Sequence, residues 1–172
     1  MMMTRNILTA LQAAAFVLAG VAAATSTVRA EDAYRTYHNE RYGVSADVPR
    51  DWKAGRPPDN GDGLKFTSPD GAATILVYGG YRLADTVAEA LNSELAADEG
   101  ETITYQTRAP RMAVISGMRG PTIFYRKVVV SCKDQVMNQV SIEYPSARKP
   151  QFDALVSHVA ASLHGVETGP CN

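Results

Sequence analysis

The sequence predicts an α+β fold in which a largely antiparallel sheet carries two main helices. Most apolar segments of the 172-residue chain alternate at every second position, which is the spacing of half-buried strands. Two segments instead repeat their apolar residues at helical spacing. The resulting order is strands, a helix, four strands and a helix. Runs of adjacent strands favour antiparallel pairing over a doubly wound nucleotide-binding fold.

Four strands are predicted before the first helix, at residues 33–38, 44–48, 64–68 and 73–81. The second of them alternates apolar and polar side chains and ends at Pro49. The sequence Ser-Pro-Asp-Gly at 68–71 fits a type I turn, because Pro69 pre-sets the backbone angle of the second turn position. Apolar residues occupy both faces of the segment 73–81, which indicates a central strand covered on both sides.

Two helices are predicted, at residues 86–98 and 150–164. For the first helix, Asp85 is one candidate N-cap, and a capping box between Thr86 and Glu89 is the other. Gly100 is expected to end it. The second helix has Pro150 in its first turn, where the missing N–H costs nothing. Gly165 is its expected C-cap.

Four further strands are predicted between the helices, at residues 102–108, 112–116, 122–131 and 136–144. The three consecutive β-branched residues at 128–130 are typical of a strand rather than of an exposed helix. Lys133 and Asp134 form the predicted tight turn of the last hairpin, and Pro145 closes it.

Residues 1–30 have the pattern of a secretory signal peptide. Arg5 supplies the positive charge, residues 7–24 are uncharged and mostly apolar, and Ala30 ends a suitable cleavage site. The alternative is a transmembrane anchor, but the apolar run is interrupted by Gln12 and rich in alanine. Val21 stands where a lipobox would need a cysteine, so acylation is not expected.

The remaining residues, 31–172, are predicted to form a single domain with a short C-terminal tail. The leader predicts that this domain is periplasmic or secreted, in a bacterium. No stable membrane anchor is expected after cleavage. Cys132 and Cys171 are the only cysteines, and in an oxidising compartment an even pair indicates a disulfide. That bond would close a loop of about 40 residues and stabilise the fold by about 3–4 kcal/mol in the chain-entropy account. A redox pair is the alternative, but no Cys-x-x-Cys is present.

A family resemblance lies in three segments. The run Tyr-His-Asn-Glu-Arg-Tyr-Gly-Val-Ser at 37–45, with Pro49 and Trp52 after it, resembles the opening of the PsbP-like proteins. Residues 63–71 resemble their next hairpin, and the final helix resembles their usual ending. This group includes photosystem II extrinsic subunits, a nuclear-transport GTPase-binding protein and many secreted bacterial proteins. The resemblance implies an αβα sandwich and transfers no catalytic residue.

Catalytic and metal-binding patterns are not evident in the sequence. The three histidines show no His-x-His or His-Glu-x-x-His spacing, and no Gly-x-Ser-x-Gly nucleophile motif is present. Ser157 and His158 are neighbours on a helix and therefore point about 100° apart, which favours a surface role for both. The acidic turn at 59–63 resembles part of a calcium loop but lacks the later glutamate. We therefore expect neither an enzyme nor a cofactor.

One basic concentration is the candidate partner surface, and it comprises Arg108, Arg111, Arg119, Arg126 and Lys127. An acidic concentration occupies the first helix and its exit, at Glu89, Glu94, Asp98, Glu99 and Glu101. These two sets are either complementary docking faces or ordinary solvated surface. Arg111 and Arg119 flank the strand at 112–116 and are expected in loops at its two ends.

The predicted function is that of a non-catalytic accessory or protein-binding module, whose partner is another periplasmic or envelope protein. A formal net charge of −1 excludes a dedicated nucleic-acid binder, which normally carries a basic excess. The alternative is a small hydrolase or a small-ligand carrier that uses a pocket between the sheet and a helix. An enclosed pocket with convergent polar groups favours the alternative, and a flat face with Tyr and Arg favours the binding module.

Overall fold

The structure is a computed structural model that describes residues 33–166. The predicted signal peptide at residues 1–30 and the cysteine at position 171 lie outside the described residues. Nine strands are present in the described part: β1 Tyr34–His38, β2 Ser45–Pro49, β3 Lys53–Ala54, β4 Gly63–Thr67, β5 Thr74–Tyr81, β6 Glu101–Ala109, β7 Met112–Arg119, β8 Thr122–Ser131 and β9 Val136–Pro145. The α-helices are α1 Val87–Glu94 and α2 Lys149–Ser162, the latter preceded by a 3-10 turn at Ser146–Arg148.

Seven strands form one antiparallel sheet in the order β3-β4-β5-β9-β8-β7-β6, and β1 pairs with β2 in a separate hairpin. Helix α2 and this hairpin pack on one face of the sheet, and α1 packs on the other. The predicted α+β class, with its two main helices, is therefore confirmed. No helix within residues 33–166 is long and apolar enough to cross a membrane.

The larger core lies under α2. Val140 and Ile142 of β9, Val44 and Val48 of the hairpin, and Val159 of α2 are all fully buried. The alternating strand pattern places these side chains on one face, so the hairpin and the helix share a single apolar layer. The core under α1 is smaller and is centred on Leu91, which is also fully buried.

Beyond shifts of one residue at several element ends, the structure differs from the sequence prediction in four places. Helix α1 begins with the capping box of Thr86 and Glu89 but ends at Glu94 rather than at 98. It ends early because the chain turns back, and the Asp98 N–H donates to a Glu101 carboxylate oxygen over 2.9 Å. Helix α2 ends at Ser162, because the backbone of His164 forms a bridge with Ser45 of the hairpin.

The other two differences concern strands. The short strand β3 was not predicted, because two exposed residues carry no periodicity. Strand β7 extends to Arg119, which pairs with Glu101 of β6 and Thr122 of β8. Arg119 therefore ends a strand and does not lie in a loop, whereas Arg111 lies in the β6–β7 turn as expected.

The turn between β8 and β9 holds three consecutive non-glycine residues in left-handed backbone conformation. Cys132, Lys133 and Asp134 have φ angles of 54°, 52° and 68°. Such a residue costs about 1–2 kcal/mol relative to right-handed backbone. The turn is held by two hydrogen bonds: Arg82 Nε donates to the Asp134 carbonyl over 2.8 Å, and the Gln135 N–H donates to the Cys132 carbonyl over 3.1 Å.

Glycine at position 133 should stabilise the protein. The Lys133 side chain is exposed, so Lys133→Gly removes left-handed strain without removing packing. Glycine loses more entropy on folding, so we expect a net gain of up to about 1 kcal/mol in the free energy of unfolding. Urea unfolding measures it, with Lys133→Ala as the control that keeps the strain. A glycine variant no more stable than the alanine variant would contradict the prediction.

Candidate functional site

The five basic residues of the predicted partner surface do not share one surface. Arg108 donates to the Asn92 side chain of α1 over 3.0 Å and therefore lies on the α1 face. Arg126 lies on the same face, and the alternation of β8 sends its neighbour Lys127 to the α2 face. Arg111 lies in the turn at the end of the sheet. The five residues therefore do not form a single patch, and their role toward a partner stays a prediction.

A buried carboxylate links the basic and acidic concentrations. The Glu101 side chain is fully buried and accepts hydrogen bonds from Arg119 over 2.6 Å and from Arg126 over 2.5 Å. Arg126 also donates to Asp98 over 2.7 Å, and Arg119 donates to Glu143 over 3.2 Å. Two residues of the basic concentration, Arg119 and Arg126, thus pair with two of the acidic one, Asp98 and Glu101. This network joins β6, β7 and β8.

The remaining two basic residues are also held within the protein. Lys127 Nζ donates to the Ala160 carbonyl of α2 over 2.6 Å, and burial lowers the pKa of Lys127. Arg111 Nε lies 3.1 Å from an Asp134 carboxylate oxygen and 3.2 Å from the Val130 carbonyl oxygen. Lys127 therefore ties the middle of β8 to α2, and Arg111 ties the end of β8 to the turn that follows it.

An apolar groove lies between α2 and the outer strands, because the sheet is wider than one helix. This α2 groove has a volume of about 470 Å³. Six of the side chains along it are apolar or aromatic: Tyr105, Met118, Ile123, Tyr125, Tyr144 and Val156. Burial raises the pKa values of Tyr125 and Tyr144, which therefore stay neutral. Lys149 and Asp153 form an ion pair of 2.7 Å at its rim.

Strand β6 is an open edge beside this groove. It lies at one end of the sheet and pairs only with β7 within the described residues, whereas the opposite edge strand, β3, has two residues. Most of its nine residues are exposed, and Tyr105 is 54% exposed. A register shift between Ile103 and Tyr105 marks a bulge. The strand contains neither proline nor lysine, the residues that commonly block an edge.

A second cavity, the α1 pocket, lies between α1 and strands β5 and β9 and has a volume of about 360 Å³. A hydrogen-bonded chain crosses it. The Tyr78 hydroxyl donates to the side-chain oxygen Oε1 of Gln139 over 2.7 Å, and Nε2 of the same side chain donates to the Glu94 carboxylate over 3.1 Å. Burial, with the nearby Glu94 charge, raises the pKa of Tyr78 to about 12. Burial also raises the pKa of Glu94, against the opposing effect of Gln139.

His158 is held in a structural cluster. Its Nε2 lies 3.0 Å from an Asp47 carboxylate oxygen, and its ring stacks on Tyr34 with centroids 3.8 Å apart. The nearby serines direct their hydroxyl hydrogens elsewhere: Ser157 donates to the Asp153 carbonyl and Ser162 to the Val159 carbonyl. The cluster therefore ties the hairpin to α2. Within residues 33–166, no group of three or more His, Cys, Asp or Glu side chains is arranged to hold a metal.

Cys132 lies in the β8–β9 turn, next to Val166. It is buried, and its N–H donates to the Val166 carbonyl over 3.0 Å. The predicted partner, Cys171, lies outside the described residues. Five residues of extended chain reach about 17 Å, so the position of Val166 is compatible with the predicted bond, which stays a prediction.

Three solved structures with the same fold illustrate the likeness. The solution structure of the cyanobacterial PsbP (CyanoP) from Synechocystis has a TM-score of 0.57 at 11% identity, covering 78% of this chain and 93% of that one. The Ran-binding protein Mog1p of Saccharomyces cerevisiae has a TM-score of 0.53 at 11% identity, covering 78% and 96%. LpqN, involved in cell envelope biogenesis of Mycobacterium tuberculosis, has a TM-score of 0.53 at 14% identity, covering 76% and 88%.

These likenesses show that the chain has the PsbP-like fold, as the resemblance in sequence predicted. No protein-family model matches the chain. No curated protein matches it in sequence.

Proposed function

We propose that the protein is a non-catalytic module that binds an extended segment of another protein in the bacterial cell envelope. The observation that carries this proposal is the open edge of β6 beside the α2 groove. An edge strand presents backbone N–H and C=O groups that an added strand can pair with. The bulge divides β6, but residues 105–109 after it are uninterrupted, and a strand partner typically has five or six residues.

The groove defines the side chains that such a segment would carry. In an added strand, alternate side chains point to the same face of the sheet, so every second side chain would face the α2 groove. Tyr105 and Met118 offer apolar contact there, and the charges of Lys149 and Asp153 already neutralise each other. We therefore expect a segment with apolar or aromatic residues at alternate positions and few charges.

Two of the structural neighbours support parts of the proposal. Mog1p is described as a Ran-binding protein, which supports partner binding by this fold. LpqN is described as involved in cell envelope biogenesis, which supports a role in the envelope. The hydrogen-bonding of His158, Ser157 and Ser162 supports a non-catalytic role, because neither hydroxyl is directed at the imidazole. The hydrolase alternative would need a nucleophile directed at a base, and neither Ser157 nor Ser162 fills that role beside His158.

Site-specific photocrosslinking in the bacterium that produces the protein tests the proposal. A photoreactive phenylalanine analogue replaces Tyr105 at the β6 edge in one strain. In the control strain it replaces Leu76, which is 36% exposed on the α1 face of β5. We expect a defined crosslinked envelope protein from position 105 and not from position 76. No crosslink at 105, the same products at both positions, or a product of twice the mass of this chain would overturn the proposal.

The basic residues offer a second test of the surface. If Arg111 contacts the partner, Arg111→Ala should reduce the yield of the Tyr105 crosslink and make it less dependent on salt. Arg111 is preferred to Arg119 for this test, because removing Arg119 also removes a hydrogen bond to buried Glu101. An unchanged yield would return Arg111 to a purely structural role at the β8–β9 turn.

Export and the disulfide belong to the same proposal. We expect the mature protein to begin at residue 31, and Cys132 and Cys171 to be joined, because the leader directs the chain to an oxidising compartment. Intact-mass measurement of protein from the cell envelope and non-reducing peptide mapping check both expectations. Recovery of the leader on the mature chain, or of both cysteines as thiols, would contradict them.

A further inference from the structure

One of the residues that line the α1 pocket is a glycine, Gly80. It lies one residue before the end of β5 and pairs with Met137 of β9. A Cβ built on Gly80 meets no atom within 4 Å, whereas one built on its neighbour Gly79 would lie 2.6 Å from Tyr42. Gly79 is therefore explained by close packing, and Gly80 is not. Glycine weakens a strand and often marks a place where another molecule approaches the backbone.

The rest of the pocket combines an apolar body with one polar end. Ala90 of α1 and Met137 form its inner surface, and Leu83, which is 95% exposed, stands at its mouth. Glu94 and Asp62 are the two carboxylates of the lining, and the charge of each acts on the Tyr78 hydroxyl. A volume of about 360 Å³ is at the small end of the range for ligand sites.

The polar end accepts hydrogen bonds. The hydroxyl hydrogen of Tyr78 is donated to Gln139, and a Gln139 amide hydrogen is donated to Glu94, where the chain ends. A carboxylate accepts several hydrogen bonds and donates none while ionised, so Glu94 retains acceptor capacity. Arg82 also lines the pocket, and its guanidinium donates to the Asp134 and Ala84 carbonyls. It keeps its positive charge, so Glu94, Asp62 and Arg82 together give the lining a net charge of −1.

We propose that the α1 pocket binds a small organic cation, a primary amine with a short apolar body. Its ammonium group would contact Glu94, with Asp62 as the second carboxylate of the lining, and its body would lie over Gly80 against Ala90 and Met137. An anionic ligand would face two carboxylates instead. The site is on the opposite face of the sheet from the α2 groove and is independent of the proposed protein-binding function.

Binding should depend on pH through Glu94. The groups around it are Gln139, Arg126, Asp98 and Tyr78. Burial raises the pKa of Glu94, and only its ionised form attracts an ammonium group. Affinity should therefore fall as the pH is lowered through the Glu94 pKa and reach a plateau above it.

Calorimetric titration with two matched pairs of ligands tests the proposal. Hexylamine is compared with hexanoate, and tyramine is compared with 4-hydroxyphenylacetate. We expect the amines to bind and the carboxylates not to. Gly80→Val, which fills the pocket, and Glu94→Gln, which removes its charge, should each weaken amine binding by about tenfold or more. Thr74→Val, on the same face of β5 but outside the pocket, is the matched control and should bind as the unaltered protein does.

Three results would overturn the proposal: no saturable amine binding at millimolar concentration, equal binding of the paired carboxylates, or unchanged affinity in a folded Gly80→Val variant. Tyr105→Ala distinguishes this site from the protein-binding surface. It should weaken the binding of the partner identified by the crosslink, because that partner loses an apolar contact, and leave amine affinity unchanged, so either proposal can fail without the other.

Discussion

Gly117→Ala should lower the free energy of unfolding by about 3 kcal/mol, because the β6–β7 contact has no space for a Cβ atom. A Cβ at Gly117 would lie 2.1 Å from the Thr102 carbonyl oxygen and 2.9 Å from the Phe124 ring. The carbonyl belongs to the β6 backbone, so relief of the clash requires β6 to move away from β7. For a domain of this size, such a loss corresponds to a decrease in Tm of roughly 10 °C.

Gly80→Ala is the matched control for this prediction. It introduces the same methyl group into a strand of the same sheet, at a position where no atom lies within 4 Å. Thermal unfolding of the two variants therefore isolates the clash from the general effect of replacing glycine. Equal Tm values for the two variants would contradict the close β6–β7 contact and the geometry of the edge strand.

Removal of the Glu101 carboxylate has the second largest expected effect. Glu101→Ala should cost about 2 kcal/mol, because hydrogen bonds to charged groups are worth about 1.5–3 kcal/mol and this carboxylate is fully buried. Removing one partner of an isolated buried ion pair costs more, because the other charge is left without a partner. Here each arginine retains an ion pair, Arg126 with Asp98 and Arg119 with Glu143.

The comparison variant is Asp59→Ala. It breaks the ion pair between Arg56 and Asp59, whose side chains are 90% and 100% exposed. Exposed pairs contribute little, so no measurable change in the urea midpoint is expected. If Glu101→Ala is as stable as Asp59→Ala, the network does not hold β6, β7 and β8 together as the structure indicates.

The sequence was sufficient to predict the local elements of the fold. The capping box at Thr86, the turn at Lys133 and Asp134 and the alternation of the long strands depend on neighbours in the chain, and each is present in the structure. The end of α1 was placed too late, because it depends on the contact between Asp98 and Glu101 and not on helix propensity.

The candidate sites depend on strand order, which local patterns do not specify. Strand β9 lies between β5 and β8, and this places β6 at the open edge. Arg126 and Lys127 are adjacent in sequence but face opposite sides of the sheet, so a cluster in sequence was not a cluster in space. One signal for the α1 pocket was present in the sequence. Gly79 and Gly80 are adjacent glycines within a central strand, and only packing shows which of them leaves space.

The central claim is that β6 receives an extended segment of another protein. Amide hydrogen exchange tests it most directly, measured on the protein alone and in complex with the partner identified by the Tyr105 crosslink. Strand pairing protects backbone amides, so we expect exchange to slow across Glu101–Ala109 when the partner binds. Unchanged exchange in β6, together with new protection at Val87–Glu94 on the opposite face, would contradict the claim.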